Sequence, residues 1–412
     1  MRANCLTSVM AWMLLLSWAA TPAVPSPPPV TVFPVVPSAE QLLAMTNTPP
    51  PVQPVARPLT FYASADYLLW RLKPWAIPVP LLVTPSTPTT FDSRVADLTD
   101  VPVTTLYGNQ NAENPQMHGF RVRLGGNAVI FGEPGFEVGG FFLPEHEQKT
   151  TFRSQKGAPD LLLPFRNSET KPATASGLLI GGTVDGEAEP ASVTFTTASW
   201  LWGAEVGPTL LLYDDSACSL RLLVAFRNLG LNERLTLSAR NTGDDSYRFS
   251  DQFSATNYFF GGQVGGRFAW DWQTLQVEAT AKIGVGATAT TVRTSGSTFP
   301  PNSEVKKPKS VRGGFYSFAQ QGIRRETYLG VVPEVGINLG WRCTDWLTLR
   351  AGYDFLWWNA VASPGAYVNP TFKAGDLPVL GGDPDDRPNP TGMKSTTDFW
   401  AHGLQAGFEI EF

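Results

Sequence analysis

The sequence predicts an all-β protein, a transmembrane antiparallel up-and-down β-barrel with ten strands, and three observations support this fold class. First, only 16% of the 412 residues are charged, well below the roughly 25% of an ordinary soluble domain. Second, apolar and polar residues alternate over unusually long segments. Third, the connections between these segments are alternately short and long, like the periplasmic turns and external loops of outer-membrane barrels.

Two segments precede the predicted barrel, which covers residues 59–412. Arg2 and the uncharged run Cys5–Ala20, followed by small residues, are typical of a secretory signal peptide over residues 1–23. The run is shorter than the roughly 18 apolar residues of a spanning helix, so cleavage is favoured over a membrane anchor. Residues 24–58 are rich in proline and predict an extended periplasmic linker with no core of its own.

The clearest alternation covers residues 274–290. The odd-numbered residues from Leu275 to Ala289 are all apolar, whereas the even-numbered residues are polar or glycine. This segment exceeds the roughly 3–10 residues of most globular strands, and it suits a tilted transmembrane strand that continues beyond the bilayer. Similar alternation predicts ten strands in all, at residues 60–71, 118–128, 134–143, 194–212, 219–237, 252–270, 274–293, 326–342, 347–361 and 397–412.

The predicted connections divide into two classes. Short connections lie near Gly132 and at residues 214–216, 271–272 and 343–345; they are predicted to be periplasmic, with both chain termini on that side. A soluble β-sandwich could also show alternation along its strands, but it does not require alternating loop lengths. The long, external connections cover residues 72–117, 144–193, 238–251, 294–325 and 362–396.

Several irregularities are predicted within this pattern. Pro208 and Pro333 cannot donate a ladder hydrogen bond, so β-bulges are expected there. The apolar phase changes near Arg227–Asn228, which predicts a third bulge. The apolar runs LLLPF and GLLIGG within residues 159–184 leave an alternative open, in which a further hairpin raises the count to twelve strands.

Tryptophans on the predicted outward faces fall at two heights. Two aromatic girdles are expected of a barrel whose outer surface contacts membrane lipid. The tryptophans near the external ends of strands are Trp200, Trp202, Trp357 and Trp400, and those near the periplasmic ends are Trp270 and Trp341.

The last predicted strand ends with Phe408, Ile410 and Phe412 on its outward face, separated by glutamates. An apolar-outward strand that ends on an aromatic residue resembles the recognition signal read by the outer-membrane barrel assembly machinery. That machinery is therefore an expected partner during biogenesis, alongside outer-membrane lipid.

The predicted inward faces carry charges of both signs. Barrels of about eight strands are filled by side chains, whereas barrels of about 16–18 strands leave a channel. Buried charges need partners, so the near balance of signs in a ten-stranded barrel predicts ion pairs across the lumen rather than an open aqueous pore. The candidate lumen-facing residues are Asp66, Arg121, Arg123, Glu137, Glu205, Arg221, Arg227, Arg267, Glu278, Lys282, Glu334, Arg342, Arg350, Asp354 and Glu409.

Seven stretches of the chain together resemble a known family, the putative beta-barrel porin-7 proteins of bacterial outer membranes. One departure is Ser363, which stands before Pro-Gly where the family usually has arginine. The resemblance implies an outer-membrane barrel and brings no catalytic residues. The stretches that carry it are FYASADYLLW (61–70), SWLWGAEVG (199–207), LLVAFRNLGLNERL (222–235), DQFSATNYFFGGQVGGRF (251–268), VVPEVGINLGW (331–341), LRAGYDFLWWNAVASPG (349–365) and FWAHGLQAGFEIEF (399–412).

No pattern in the sequence points to catalysis or to a cofactor. The HExxH, CxxC, GxSxG and P-loop motifs are absent. His146, between Glu145 and Glu147, is an acid–base candidate without an evident nucleophile. The net charge of −5 does not suit nucleic acid. We therefore predict no enzymatic activity, no catalytic, cofactor or metal site, and no nucleic-acid partner.

The sequence thus favours a bacterial outer-membrane barrel, exported by its signal peptide, that is structural or weakly conducting and has a largely ion-pair-filled lumen. An alternative is a surface-exposed binding or adhesion protein that displays its long loops, because loops on rigid scaffolds often carry recognition. A third hypothesis is an outer-membrane hydrolase that uses loop carboxylates and His146.

Overall fold

The computed structural model describes residues 60–87, 89–113, 116–127, 134–215, 217–243, 246–301, 310–382 and 396–412. The predicted signal peptide (1–23) and linker (24–58) lie outside these residues. The strands are β1 (Thr60–Leu72), β2 (Trp75–Pro85), β3 (Val95–Asp97), β4 (Val103–Ala112), β5 (Gln116–Asn127), β6 (Pro134–Ser154), β7 (Leu161–Asn167), β8 (Thr174–Val184), β9 (Glu187–Glu189), β10 (Ala191–Asp214), β11 (Cys218–Asn241), β12 (Arg248–Trp272), β13 (Leu275–Phe299), β14 (Val311–Arg312), β15 (Gly322–Arg342), β16 (Leu347–Val361), β17 (Thr371–Phe372) and β18 (Thr397–Glu411).

Helical structure within the described ranges is limited to short 3-10 turns, at Phe318–Gln320, Pro364–Tyr367, Ala374–Asp376 and Pro378–Leu380. In this part of the chain no helix is both long and apolar enough to cross a membrane.

Ten strands form a closed antiparallel barrel, in the order β1, β5, β6, β10, β11, β12, β13, β15, β16 and β18, with β18 paired again to β1. The closing seam extends to the last residue, because Phe61 and Phe412 exchange two backbone hydrogen bonds of 2.9 Å. Closure leaves no unpaired strand edge, which a barrel in lipid requires. The prediction of a ten-stranded up-and-down barrel is therefore confirmed.

The twelve-strand alternative is wrong, although its extra hairpin exists. The apolar runs of residues 159–184 form β7 and β8, which pair with each other in a separate sheet. That seven-stranded sheet has the order β3, β8, β7, β2 and β4, with β9 beside β8 and β17 beside β7. All its strands come from the long connections, so these external segments fold into a sheet rather than remaining simple loops.

The central barrel strands are longer than predicted. β10 and β11 have 24 residues each, and β12 and β13 have 25. A strand of this length extends about 80 Å at about 3.3 Å per residue, far more than an apolar band about 25 Å tall needs at a tilt of about 40°. The barrel wall therefore continues beyond the bilayer on the side of the long connections, which we call external.

The phase change that predicted a bulge in β11 has another cause. The pairing of β11 with β12 runs without a shift from Cys218–Trp270 to Arg240–Arg248, so the predicted bulge at residues 227–228 is wrong. Before this point Val224 and Phe226 are exposed on the outward face; after it Leu229 and Leu231 are buried on the inward face. The apolar residues change face because the strand leaves lipid and its interior becomes an apolar core.

The two proline bulges are also wrong. Pro208 pairs with Phe136 and Pro333 pairs with Ile283, both in continuous register. Proline is tolerated where the neighbouring ladder has a gap: the pairing of β15 with β16 starts only at Glu334. Register shifts occur instead between Leu211 and Tyr213, between Ser199 and Leu201, and between Trp358 and Val361.

Two apolar clusters occupy the external half of the barrel interior. The outer one, the external core, joins inward residues of the extended wall, such as Phe195, Leu237 and Phe253, to residues of the seven-stranded sheet. The inner one, the apolar layer, crosses the barrel below it and contains Leu68, Trp70, Leu72, Met117, Phe141, Leu143, Leu201, Leu229, Leu231, Phe259, Val332, Leu356, Trp358, Val361, Phe399 and Ala401.

Candidate functional site

The candidate site is the barrel interior on the periplasmic side of the apolar layer. The strands keep a period of two there, so the charged residues selected from the sequence share the inward faces. The structure brings most of them into two groups of ion pairs that neutral side chains connect; together we call them the ion-pair layer. Its members are Asp66, Arg121, Arg123, Glu137, Glu205, Arg227, Arg267, Glu278, Lys282, Glu334, Arg350, Asp354 and Glu409.

Glu334 of β15 is the acceptor at the centre of one half of this network. It pairs with Arg227, its Oε1 lies 3.3 Å from Nζ of Lys282, and it lies 3.9 Å from Nη2 of Arg121. Arg121 also donates to Asp354 at 2.8 Å. Five strands are thus joined through one carboxylate and its partners; all of these residues are buried except Lys282, which is partly buried.

Glu205 extends this half towards β10. Its two oxygens lie 2.9 and 3.0 Å from Nζ of Lys282, and it accepts a 2.9 Å hydrogen bond from Gln263. Gln263 in turn accepts a 2.6 Å hydrogen bond from Arg227. The neutral amide therefore connects two charged residues that belong to different pairs.

Glu137 and Glu278 organise the other half. Glu137 accepts two hydrogen bonds from Arg267, of 2.8 and 3.0 Å, the bidentate geometry that makes arginine–carboxylate pairs strong. Glu278 accepts from Arg350 at 2.9 Å, and Arg350 also pairs with Glu409. Nε of Arg267 lies 3.7 Å from Oε2 of Glu278, so these contacts form a chain of alternating charges along the barrel wall.

Two predicted lumen residues lie apart from the network. Arg342 is 44% exposed at the periplasmic mouth, where it pairs with Asp271 at 2.7 Å. Arg221 donates to Asn127 at 2.9 Å. Arg123, by contrast, belongs to the ion-pair layer, although its guanidinium nitrogens lie as far as 3.9 Å from the nearest carboxylate oxygens of Asp66 and Glu278.

Sequence inspection for charges missed the neutral members of the layer. Tyr62 donates to Glu137, and Gln405 links Arg121 to Asn338 through hydrogen bonds of 3.0 and 2.5 Å. These residues share the inward phase of the charged ones, so the same period-two rule could have found them.

The ion-pair layer leaves little free volume. The space enclosed by Arg121, Glu205, Arg227, Lys282, Glu334 and their neighbours is about 30 Å³. One water needs roughly 10–15 Å³ of such space, so about two waters fit. Charged and polar side chains therefore fill most of the space that these residues line.

The external side is held to the barrel by polar anchors. Asp251 of β12 is fully buried and accepts hydrogen bonds of 2.9 to 3.0 Å from the backbone N–H groups of Phe315, Tyr316 and Ser317. In the seven-stranded sheet, Tyr107 stacks on Phe195 with ring centroids 3.9 Å apart. Burial raises the pKa of Tyr107 to about 12, so its phenol stays neutral at physiological pH.

The three histidines of the chain lie away from the ion-pair layer. His118 and His402 are on the outward face and are hydrogen-bonded to Tyr67 and Tyr353, respectively. His146 is in β6, and the flanking Glu145 and Glu147 both pair with Arg234, at 2.6 and 2.9 Å. Within the described ranges, no group of acidic, histidine or cysteine side chains could hold a metal ion.

The outward face carries the predicted aromatic residues. Trp270 and Trp341 are about half exposed at the periplasmic end. Trp202 lies over Gly230, where any side chain would collide with the indole ring. Of the proposed assembly signal, Phe408 and Phe412 are exposed, and Phe412 stacks on Phe61 with centroids 6.2 Å apart; Ile410 is half-buried.

Comparisons with known proteins agree with this architecture. The model of the family described as Putative beta barrel porin-7 matches residues 62–412. A search of curated proteins finds no match.

Solved structures similar to this chain include outer-membrane barrels. The outer membrane protease OmpT from Escherichia coli is 7% identical over 86% of this chain and 97% of that chain, with a TM-score of 0.40. A FadL homologue from Pseudomonas aeruginosa is 7% identical over 86% and 90%, with a TM-score of 0.22. An anion-selective porin from Comamonas acidovorans is 10% identical over 86% and 99%, with a TM-score of 0.14. Likenesses at this level carry no information about activity.

Proposed function

We propose that this chain is a closed or weakly conducting barrel with a structural role. It belongs to the Putative beta barrel porin-7 family and is a porin-like β-barrel of the bacterial outer membrane. Its lumen is filled largely by ion pairs. The observation that carries this proposal is the free volume of about 30 Å³ left within the ion-pair layer, too small for a hydrated ion to pass without moving charged side chains.

Two further features support a closed barrel. The apolar layer lies directly external to the ion pairs, and hydrophobic constrictions oppose ion passage because water withdraws from them. Trp358 and Leu231 of this layer are fully buried. Beyond them, the external core joins the barrel wall to the seven-stranded sheet. An ion would have to cross three packed regions in succession.

The proposal includes the absence of catalytic activity. The acidic neighbours of His146 are engaged by Arg234, and His118 and His402 contact tyrosines on the lipid-facing side. A candidate base needs a nucleophile or substrate pocket within reach. None of these three histidines lines the space within the ion-pair layer.

A second candidate function is surface binding by the external segments. It is favoured by the seven-stranded sheet, which gives the long connections a fixed structure, and a rigid scaffold is what recognition loops require. A pulldown with the purified protein, compared with a variant lacking residues 174–184, would test it. Retention of the same partner by the deletion variant would contradict recognition through this sheet.

Planar-bilayer conductance of the refolded protein tests the main proposal. We expect a small current for the wild type, because the interior is packed at three heights. Glu334→Gln should lower the unfolding temperature, read from heat-modifiability on gels, more than it changes ion selectivity. A large, stable current whose selectivity shifts in Glu334→Gln without a change in unfolding temperature would identify an open channel and overturn the proposal.

Biogenesis is proposed to depend on the signal peptide for export and on the assembly machinery, which would recognise Phe408, Ile410 and Phe412. The mutual backbone hydrogen bonds of Phe61 and Phe412 support a role for the last residue in closure. Deleting Phe412 should reduce the yield of folded barrel in the outer membrane, measured by heat-modifiability of membrane fractions. Insertion of the deletion variant at wild-type yield would contradict the role of Phe412 as part of an assembly signal. Ser86→Ala is the control, because Ser86 is exposed just beyond the end of β2.

A further inference from the structure

A cavity of about 460 Å³ lies external to the apolar layer. Val361 and Phe399, which belong to the apolar layer, form part of its floor. Its lining includes Trp75 at the start of β2, Glu233 of β11 and Lys73. The cavity is about fifteen times larger than the space in the ion-pair layer, so its size admits an organic molecule.

Glu233 is the unusual residue of this cavity. It is 3% exposed, and it makes no hydrogen bond or ion pair with any of the described residues. Asp251 on the neighbouring strand is equally buried, but its carboxylate accepts three backbone hydrogen bonds. Burial without a partner disfavours the charged form of this carboxyl group, so a group that supplies positive charge to Glu233 would stabilise the ionised form and be bound favourably.

Lys73, the basic residue of the lining, makes its ion pair with Asp398 rather than with Glu233. Nζ of Lys73 lies 2.6 Å from Oδ1 of Asp398 and also donates to the Asp398 carbonyl oxygen at 3.0 Å. The side chains of Lys73 and Asp398 are 27% and 43% exposed. This end of the cavity therefore reaches solvent on the external side, whereas the Glu233 end is deep.

The remaining walls suit an apolar or aromatic body. Trp75 and Phe399 are both buried against the cavity, and aromatic rings attract cations as well as apolar groups. Glu233 supplies a buried acidic group in the same lining. Both observations indicate a site built for a ligand that carries polar and apolar parts.

We propose that this cavity binds a small organic cation, a protonated amine on an apolar or aromatic body, which enters from the external side. The ammonium group pairs with Glu233, and the body packs against Trp75 and Phe399. The apolar layer closes the floor, so the ligand is bound rather than passed on. Ligand binding at this cavity does not depend on whether the barrel is closed, because binding is measured without any current.

Isothermal titration of the refolded protein with benzylammonium tests the site. We expect saturable binding to the wild type, and binding of benzyl alcohol and benzoate that is at least tenfold weaker, because neither supplies a positive charge. These comparisons use one folded protein, so they do not depend on the stability of a variant. Equal affinity for benzylammonium and benzyl alcohol, or no saturable binding of benzylammonium, would overturn the proposal.

Two variants locate the ligand. Glu233→Gln keeps the shape of the side chain and should weaken benzylammonium binding at least tenfold; Glu147→Gln removes the same charge from an exposed site and should bind like the wild type. Ala366→Phe, which fills the cavity near its lining, should abolish binding while Glu233 is retained. Folding of each variant is checked by heat-modifiability. Wild-type affinity in folded Glu233→Gln or in folded Ala366→Phe would contradict this location.

Discussion

The two halves of the barrel are opposite in polarity. In the half that lies in lipid, Val224 and Phe226 face outward while Arg227 faces the ion-pair layer; in the external half, Leu235 and Leu237 face inward to the external core. One continuous strand, β11, contains both arrangements without a register shift. Alternation therefore defines the strand, whereas the surrounding medium decides which face is apolar.

The ion-pair layer and the apolar layer fill the barrel interior in two different ways. The ion-pair layer depends on partners, because a buried charge left alone is strongly destabilising. The apolar layer depends on shape, because removal of a buried side chain leaves a cavity. Loss of one charge should therefore be the most damaging change in the first region, and loss of volume the most damaging change in the second.

The largest effect is expected from Glu334→Gln in the ion-pair layer. Arg227 and Lys282 lose their shared carboxylate, and breaking a buried pair costs about 3–5 kcal/mol. The measurement is the temperature at which the folded band converts on a gel. A double variant with methionine at positions 227 and 334 should recover much of the loss, since apolar replacement of both partners is often neutral; failure to recover would mean that the network acts beyond this pair.

Leu231→Ala in the apolar layer is expected to be next in size. Leu231 is fully buried, and such truncations cost about 2–5 kcal/mol. Val224→Ala on the same strand is the matched control, because Val224 faces lipid and its truncation leaves no internal cavity. If both variants unfold at the same temperature, the external half is not held by packing in the way proposed here.

The sequence was sufficient for the ten-strand topology and the inward phase, because both follow from a period of two over long segments. It could not supply the pairing partners within the lumen. Arg227 of β11 pairs with Glu334 of β15, which is three strands away around the barrel. The stagger between neighbouring strands decides which inward residues lie at the same height. A list of inward charges contains no information about that stagger.

The external sheet was not predicted for a related reason. Its pairings are distant in sequence: Val83 pairs with Leu162, and Thr371 pairs with Arg166. Periodicity reports which face of a strand is buried and does not report which distant strand it meets. The β11 phase change was misread for a different reason, since a reversal of environment and a bulge give the same pattern in the sequence.

Asp251→Asn should have a smaller, local effect in the external half. The carboxylate accepts three backbone N–H groups of residues 315–317, and the amide turns one acceptor into a donor. Hydrogen bonds to charged groups contribute about 1.5–3 kcal/mol each, so this segment should open more often. Limited proteolysis of intact cells should show faster cleavage within residues 310–321, while the unfolding temperature of the barrel changes little. Unchanged cleavage would show that Asp251 does not hold the segment.

The smallest effect is expected from Glu147→Gln on the exposed outer wall. Arg234 lies 2.9 Å from Glu147 and 2.6 Å from Glu145, and both glutamates are exposed to solvent. An exposed ion pair contributes about 0–1 kcal/mol, and here Arg234 keeps its second partner. The variant should therefore unfold at the wild-type temperature on the same gels that show the loss in Glu334→Gln. Both changes remove one carboxylate charge from a barrel strand, so the difference between their unfolding temperatures measures how much burial adds to the contribution of a carboxylate. If both variants lowered the unfolding temperature equally, net charge rather than burial would govern the stability of this barrel.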